Sequence, residues 1–333
     1  MNVQRRTLPE GVPVALTVAR SATRSRRPPK TPRIPKARRI KDPAVDRGYQ
    51  VVNYCVLGFF TVAVLYPLIY VFSSSVSSGY AIASGKVVLW PVGLNFEAYK
   101  TIFSSPHILI GLGNSIFYAV VGAMIGTALT ILAAYPLSRK DLYGRRPLMF
   151  FLLIPTLFSA GIIPNYVVVQ QLGLLNTRWA IVLPAAMTVF NVIITRTFYQ
   201  LNIPDELLEA GKVDGASNLR FFLSIALPLS KPIIAVNMLF YAVGQWNSWF
   251  SAMIYLTNTD LYPLQLVLRE VLTLGSVNPD QVGSMSAAEF AHRQDLFNKL
   301  RYALIVVAML PPLIAYPFVQ RHFVKGALIG SLK

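Results

Sequence analysis

The chain has 333 residues, 54% of them hydrophobic and only 14% charged, where an ordinary soluble domain would have about a quarter charged. Its 31 Lys and Arg against 14 Asp and Glu give a formal charge of +17, but the basic residues sit beside apolar runs and form no basic face with base-stacking aromatics, which argues against nucleic-acid recognition. The single cysteine, Cys55, excludes an intrachain disulfide framework or a cysteine-rich metal site, and the composition specifies an all-α, polytopic membrane protein.

Residues 1–50 are rich in Arg, Lys, Pro, Ser and Thr and hold no apolar stretch long enough to pack, so they read as a disordered basic tail. Such a tail either rests on anionic lipid or serves as a solvated topology signal, and the second reading is preferred. The apolar run after it has span length and lacks a small-residue cleavage pattern, so it stays attached. Six spans are expected within a transmembrane domain of residues 51–333: Val51 to Phe72, Ile108 to Leu137, Leu148 to Val169, Trp179 to Tyr199, Ile233 to Leu256 and Tyr302 to Val319. Gly122 and Gly126, at helical spacing in the second, suit close helix packing. Span prolines such as Pro155, Pro164, Pro184, Pro311 and Pro312 are ordinary in membrane helices, with a hinge as the less favoured reading.

Lys and Arg set orientation. Thirteen lie in the N-terminal tail, four in residues 138–147, three in 202–232 and three after Val319, against seven in the alternate segments. Both termini and the loop between the fourth and fifth spans are therefore expected in the cytoplasm. The long segment from Thr257 to Arg301 falls on the other side, and its part from Ser286 to Arg301 reads as a separate amphipathic helix.

The loop from Asn202 to Pro232 reads as a helical hairpin. Asn202 is placed as a cap and Pro204 in the first turn, with Asp205, Glu206 and Glu209 at the end where the helix dipole favours negative charge. Asp214 and Gly215 make a turn, Ser217 caps a second helix, and Pro228 and Pro232 are expected to end it. The order Glu209, Ala210, then Asp214, Gly215, Ala216, then Ile225, Leu227, Pro228 resembles the EAA loop of permease subunits of bacterial ATP-binding-cassette (ABC) importers. It departs at Gly211, where that family more often has alanine, a change expected to loosen the end of the first helix. The resemblance implies that the loop is a cytoplasmic coupling helix docked on a separate ATPase.

The similarity runs from Val51 to Lys333. Residues 150–198, FFLLIPTLFSAGIIPNYVVVQQLGLLNTRWAIVLPAAMTVFNVIITRTF, look like carbohydrate importers, including systems for alginate and pectin-derived oligosaccharides. The ending FVKGALIGSLK resembles the tail of the maltose-type second permease subunit, which reaches the ATPase dimer. What the family implies is a permease that moves an oligosaccharide, acidic ones such as alginate among them. Its partners would be a second homologous permease, an ATPase dimer carrying ATP and Mg, an extracytoplasmic solute-binding protein and membrane lipid.

No catalytic constellation is legible, and neither metal-ligand spacing among His107, His292 and His322 nor a phosphate-cradling glycine loop is found, so no cofactor is expected on this chain. Polar residues in spans favour the bundle interior or a water-filled path, which makes Asn114, Asn165, Tyr166, Asn191, Asn237, Tyr241, Gln245, Trp246 and Asn247 candidates for the translocation path. Bonding across helices or an interfacial aromatic belt is the equally weighted alternative. Arg196, at the cytoplasmic end of the fourth span, is expected to snorkel; facing the lumen, it would suit an anion. Two other classes remain at this stage, a self-sufficient secondary transporter and a membrane scaffold. A secondary carrier should show an intramembrane acid for ion coupling, and none of the expected spans contains Asp or Glu.

Overall fold

The computed structural model describes residues 44–158, 160–274 and 286–330, which form helices and turns with no strand among them. Contacts divide the chain after Val56. Before that point the described residues are the exposed opening turns of helix α1, Ala44–Ser75, Cys55 included. Residues 44–50, expected in the disordered tail, are thus helical, Asp46 in the first turn suiting the dipole. The rest of the expected tail lies outside the described residues.

The second unit is a helical bundle around α4, Pro106–Ser138, a 33-residue helix covering the expected second span. Before it come α2, Gly79–Ala83, and α3, Glu97–Ser104. After it come α5, Arg145–Leu157; α6, Ile162–Gln171; α7, Trp179–Val182; and α8, Val189–Asn202. The chain continues through α9, Asp205–Val213; α10, Asn218–Leu229; α11, Lys231–Trp246; α12, Trp249–Tyr255; and α13, Leu264–Leu274. Last is α14, Ala287–Gly330.

Six unbroken spans are not what the helices form. Among the described residues three helices are long and apolar enough to cross a membrane alone, Gly48–Ser75, Pro106–Ser138 and His292–Pro317, or up to five counting two bent pairs as spans. The expected third span is one such pair, α5 and α6 at 116°, with Gly161 before α6 at a φ of 83° that suits only glycine. The expected fourth is interrupted at residues 183–188, where Pro184 withdraws a backbone donor, and the expected fifth stops at Trp246 and resumes at Trp249. The amphipathic helix and the sixth span are instead one 44-residue helix, Pro311 and Pro312 lying inside it. Ser286 and Glu289 start it by exchanging hydrogen bonds, Ser286 N–H to the Glu289 carboxylate at 3.0 Å and Glu289 N–H to Ser286 Oγ at 3.3 Å, as in a capping box.

Glycine lets α11 approach α4 closely: a Cβ on Gly126 would stand 2.8 Å from the Tyr241 ring, and one on Gly122 would stand 2.6 Å from Gln245 Cγ. Because lipid tails are as apolar as leucine, this contact is held by dispersion and interhelical hydrogen bonds rather than by expulsion of water. At the other side of the bundle Lys299 of α14, its side chain only 5% exposed, pairs with Asp295 and, at 3.1 Å, with Glu97 of α3.

Candidate functional site

The hairpin begins differently from its sequence reading. Asn202 is the last residue of α8, its Nδ2 donating back to Phe198 O at 2.9 Å, so it caps nothing; the N-cap position belongs to Pro204. Asp205 and Glu206 do occupy the first turn. The far end of α9 closes as a Schellman motif: Ala216 N–H reaches Gly211 O at 2.9 Å and Gly215 N–H reaches Lys212 O at 3.0 Å, with Gly215 at φ 74°. Ser217 caps α10, accepting from Arg220 N–H at 3.3 Å.

Neither proline ends that helix. A π-helical turn, Phe222–Ala226, precedes Pro228, whose missing N–H would interrupt a regular ladder, and helix resumes over Leu227–Leu229. Pro232 stands in the first turn of α11, a position proline favours, and the chain bends by 75° between α10 and α11.

The hairpin has two faces. Leu208, Phe221, Phe222 and Ala226 are buried in one cluster with Ile131, Ala134 and Leu137 of α4 and Val192 and Tyr199 of α8, and Ile225 and Leu227 pack against it. Gly211 belongs to this face. A Cβ there would meet the Phe221 ring at 2.9 Å, so the departure from alanine admits the ring, and α9 continues to Val213 rather than loosening. The other face is open: Glu206, Glu209, Ala210 and Asp214 are exposed, as are Val213 at 88% and Leu219 at 67%. Two ion pairs tie the hairpin to residues 139–144, Lys140 to Asp205 at 2.8 Å and Lys212 to Asp141 at 3.8 Å. The hydrogen bond from Lys140, then its charge, holds the Asp205 carboxyl below the usual range, and the same contact pushes the Lys140 ammonium up.

The expected path residues do not share one surface. Asn191, Asn237, Tyr241, Gln245 and Trp246 are buried along α8 and α11. Asn237 Nδ2 donates to Thr195 Oγ1 at 2.7 Å, and the Tyr241 hydroxyl is hydrogen-bonded to the Thr130 hydroxyl at 2.6 Å while accepting from Thr188 N–H at 3.0 Å. Both amide atoms of Gln245, Asn237 Oδ1 and Thr127 Oγ1 are buried without a partner among the described residues. Asn114 is a tie rather than a lining residue: its Nδ2 donates to Asp260 O at 2.7 Å and Tyr262 O at 3.1 Å, and its Oδ1 accepts from Arg178 at 3.3 Å. Asn165 is exposed, Tyr166 stacks on Tyr255 at 6.2 Å, and Asn247 is exposed at the end of α11, donating to Val243 O at 2.8 Å.

Sequence reasoning missed the buried threonines of this seam, Thr127, Thr130 and Thr195; the three-residue step from Thr127 to Thr130 within an apolar run was the available signal. Arg196 faces residues 138–147, its Nε donating to Leu137 O at 3.0 Å.

Residues 126–328 match the family described as binding-protein-dependent transport system inner membrane component. The chain is 40% identical over 288 residues, 86% of its length and 99% of the relative's, to the polygalacturonan/rhamnogalacturonan transport system permease protein YtcP of Bacillus subtilis. It is 27% identical over 292 residues to the diacetylchitobiose uptake system permease protein NgcG of Streptomyces coelicolor, covering 86% of this chain and 90% of that one. A chain from the crystal structure of a bacterial ABC transporter involved in the import of the acidic polysaccharide alginate superposes with a TM-score of 0.77 and 33% identity, over 85% of this chain and 99% of that one.

Proposed function

Since this chain belongs to the family of binding-protein-dependent transport system inner membrane components, we propose that it carries an acidic oligosaccharide across the cytoplasmic membrane, driven by an ATPase that docks on the α9–α10 hairpin. It is a multi-pass sugar-importer permease and not itself an enzyme. Such permeases work with a second permease, an ATPase and a binding protein. Acidic cargo is supported by the names of relatives, a polygalacturonan transporter and an alginate importer, and by the lack of Asp and Glu in the spans expected from sequence, which lowers the electrostatic barrier to an anion.

The observation that carries the coupling role is the hairpin's division into an open face and a cemented one. Glu209 and Glu206 offer charge beside exposed Val213 and Leu219, a mixed surface suited to a protein groove. The buried face shares a packed cluster with α4 and α8, so a displacement of the hairpin is passed to both, packed interiors being stiff. In this reading closure of the ATPase dimer on ATP draws the hairpin with it, and the bundle rocks against the second permease to expose the cargo path outward. Glu209 anchors the contact and Gly215 permits the turn, with both termini in the cytoplasm.

Glu209→Ala in the reconstituted complex is expected to lose most cargo-stimulated ATP turnover while the chain still inserts and assembles, because Glu209 is solvent-exposed. Normal stimulated turnover and transport in the assembled variant would end the coupling assignment. Uptake by the wild-type complex of neutral oligosaccharides only, with uronate oligomers rejected, would end the acidic-cargo assignment.

A further inference from the structure

At the end of the bundle that carries α9, residues 140–147 lie over the start of α5 and leave a groove of about 1000 Å3. Its polar wall is cationic, formed by Lys140, Arg145, Arg146 and Arg196. The one carboxylate lining it, Asp141, is already engaged by Arg139 at 3.4 Å and Lys212 at 3.8 Å, and Lys140 is engaged by Asp205. Among the described residues no carboxylate pairs with Arg145, Arg146 or Arg196. Arg196 donates to a neutral acceptor, Leu137 O, and with the Gln200 amide turned so that its oxygen faces the guanidinium groups, that oxygen accepts from Arg196 at 3.3 Å and from Arg145.

Arg145 and Arg146 also stand in the first turn of α5, the helix end that repels cations, and no side chain caps it. Three guanidinium groups and a helix N-terminus therefore converge on a space whose lining carboxylate, Asp141, is paired with other cations. A topology signal needs basic residues somewhere in this loop; it does not need them gathered on one groove. Beyond the cations the wall turns apolar at Phe150 and Leu153 and runs on along α5, where Phe151 and Leu157 are also exposed. Phosphate binding below an apolar track is what a phospholipid requires, and basic pockets on the cytoplasmic side of membrane helices take anionic headgroups.

We propose that this groove binds the phosphate headgroup of an anionic glycerophospholipid, with Arg145, Arg146 and Arg196 holding phosphate oxygens and the acyl chains lying on Phe150 and Leu153. Guanidinium forks match phosphate geometry bidentately. Because Lys140 and Asp141 also pair with residues of α9, a lipid seated here braces the coupling hairpin from the membrane side. The proposal rests on the membrane reading and on the cytoplasmic placement of residues 138–147, and on no property of the cargo.

The test is native mass spectrometry of the full-length chain with its co-purifying subunits, titrated with short-chain phosphatidylglycerol or phosphatidylcholine. Saturable binding of phosphatidylglycerol in preference to phosphatidylcholine is expected. Arg146→Gln should weaken it about fivefold, the triple variant with Arg145→Gln and Arg196→Gln should weaken it further, and Arg146→Lys should keep most of it. Arg146 is exposed, so the single variant folds irrespective of lipid, and its elution profile checks this. Equal binding of the two lipids, or undiminished phosphatidylglycerol binding in Arg146→Gln and in the triple variant, would overturn the proposal. So would displacement of the lipid by equimolar inorganic phosphate or by a uronate oligosaccharide, which would make this a site for a soluble anion. Loss of transport function elsewhere in the complex leaves this readout unchanged, so the two readings fail separately.

Discussion

Replacing Gly126 by alanine adds one methyl group where α4 packs against Tyr241 of α11. Its Cβ would lie 2.8 Å from two atoms of the Tyr241 ring and 2.9 Å from the Ala186 carbonyl oxygen, too near for either to remain. The ring cannot swing aside freely, since its hydroxyl is bonded to Thr130 at 2.6 Å and to Thr188 N–H at 3.0 Å. Overpacking of this kind costs about 1–3 kcal/mol, and losing one interhelical hydrogen bond adds about 0.6–2 kcal/mol. The gain from alanine's helix propensity offsets about 1 kcal/mol, which leaves a net loss of about 0.6–4 kcal/mol. Two glycines of the same helix supply the scale. Gly122→Ala meets Gln245, a longer side chain with no hydrogen-bond partner among the described residues to hold it, so its loss should be smaller; Gly113→Ala meets nothing within 4 Å and should be neutral or slightly stabilising. Titration of the purified chain from mild detergent into SDS, followed by tryptophan fluorescence, should rank the midpoints Gly113→Ala above Gly122→Ala above Gly126→Ala. A Gly126→Ala midpoint equal to that of Gly113→Ala would refute the packing argument.

The same titration should find Lys299→Met destabilised by about 1–3 kcal/mol, below the full figure for a broken buried pair because Glu97 and Asp295 are 43% and 30% exposed; a change indistinguishable from zero would show that water already serves both carboxylates. Gly215→Ala meets no atom within 4 Å, so its whole cost is the left-handed backbone, about 1–2 kcal/mol, and Gly215→Asn should recover part of it; equal stability of all three would refute the strain. The hydrogen bond from Lys140 to its charged form holds the Asp205 carboxyl below the ordinary aspartate range, so this contact contributes stability above that range and loses it as pH falls through the lowered pKa. Asp205→Asn should accordingly unfold with less acid dependence below about pH 4 than the wild type, and matching acid profiles would show that the pair makes no contribution.

The all-helical class and the uninterrupted α4 were legible because 33 residues without an Asp, Glu, Lys or Arg leave the backbone one solution in hydrocarbon. The turn of the hairpin was legible through Gly215, whose positive φ a local signal announces. Breaks in the other spans were not, since a proline such as Pro184 is compatible with either a continuous or an interrupted membrane helix, as Pro311 and Pro312 inside α14 demonstrate. Long-range partners were hidden for a different reason. Nothing in the amphipathic stretch from Ser286 to Arg301 singles out Lys299, and Asn114 reads as a lining amide, because the groups that claim them, Glu97 and the carbonyls of Asp260 and Tyr262, are distant in sequence. Arg196 lies toward the end of α8 that leads into the hairpin, but nothing local announced the groove it shares with Arg145 and Arg146.

The pairing of Lys299 with Glu97 also orders events during synthesis. The two residues are 202 positions apart, and a chain emerging at about 5–20 residues per second leaves Glu97 waiting on the order of 10 to 40 seconds for its partner. Through that interval α2 and α3 lack the helix against which they are packed in the finished fold, since the Asp295 side chain and backbone that fill the space beside Gly79 have not yet been made. Arrival of α14 supplies the ammonium, both carboxylates' shared cation, and the missing wall together. Synthesis halted before Ala287 would therefore leave Ile108 of α4 and Leu264 and Val267 of α13 without Leu300, Ala303, Leu304 and Val307, the side chains that share their buried cluster.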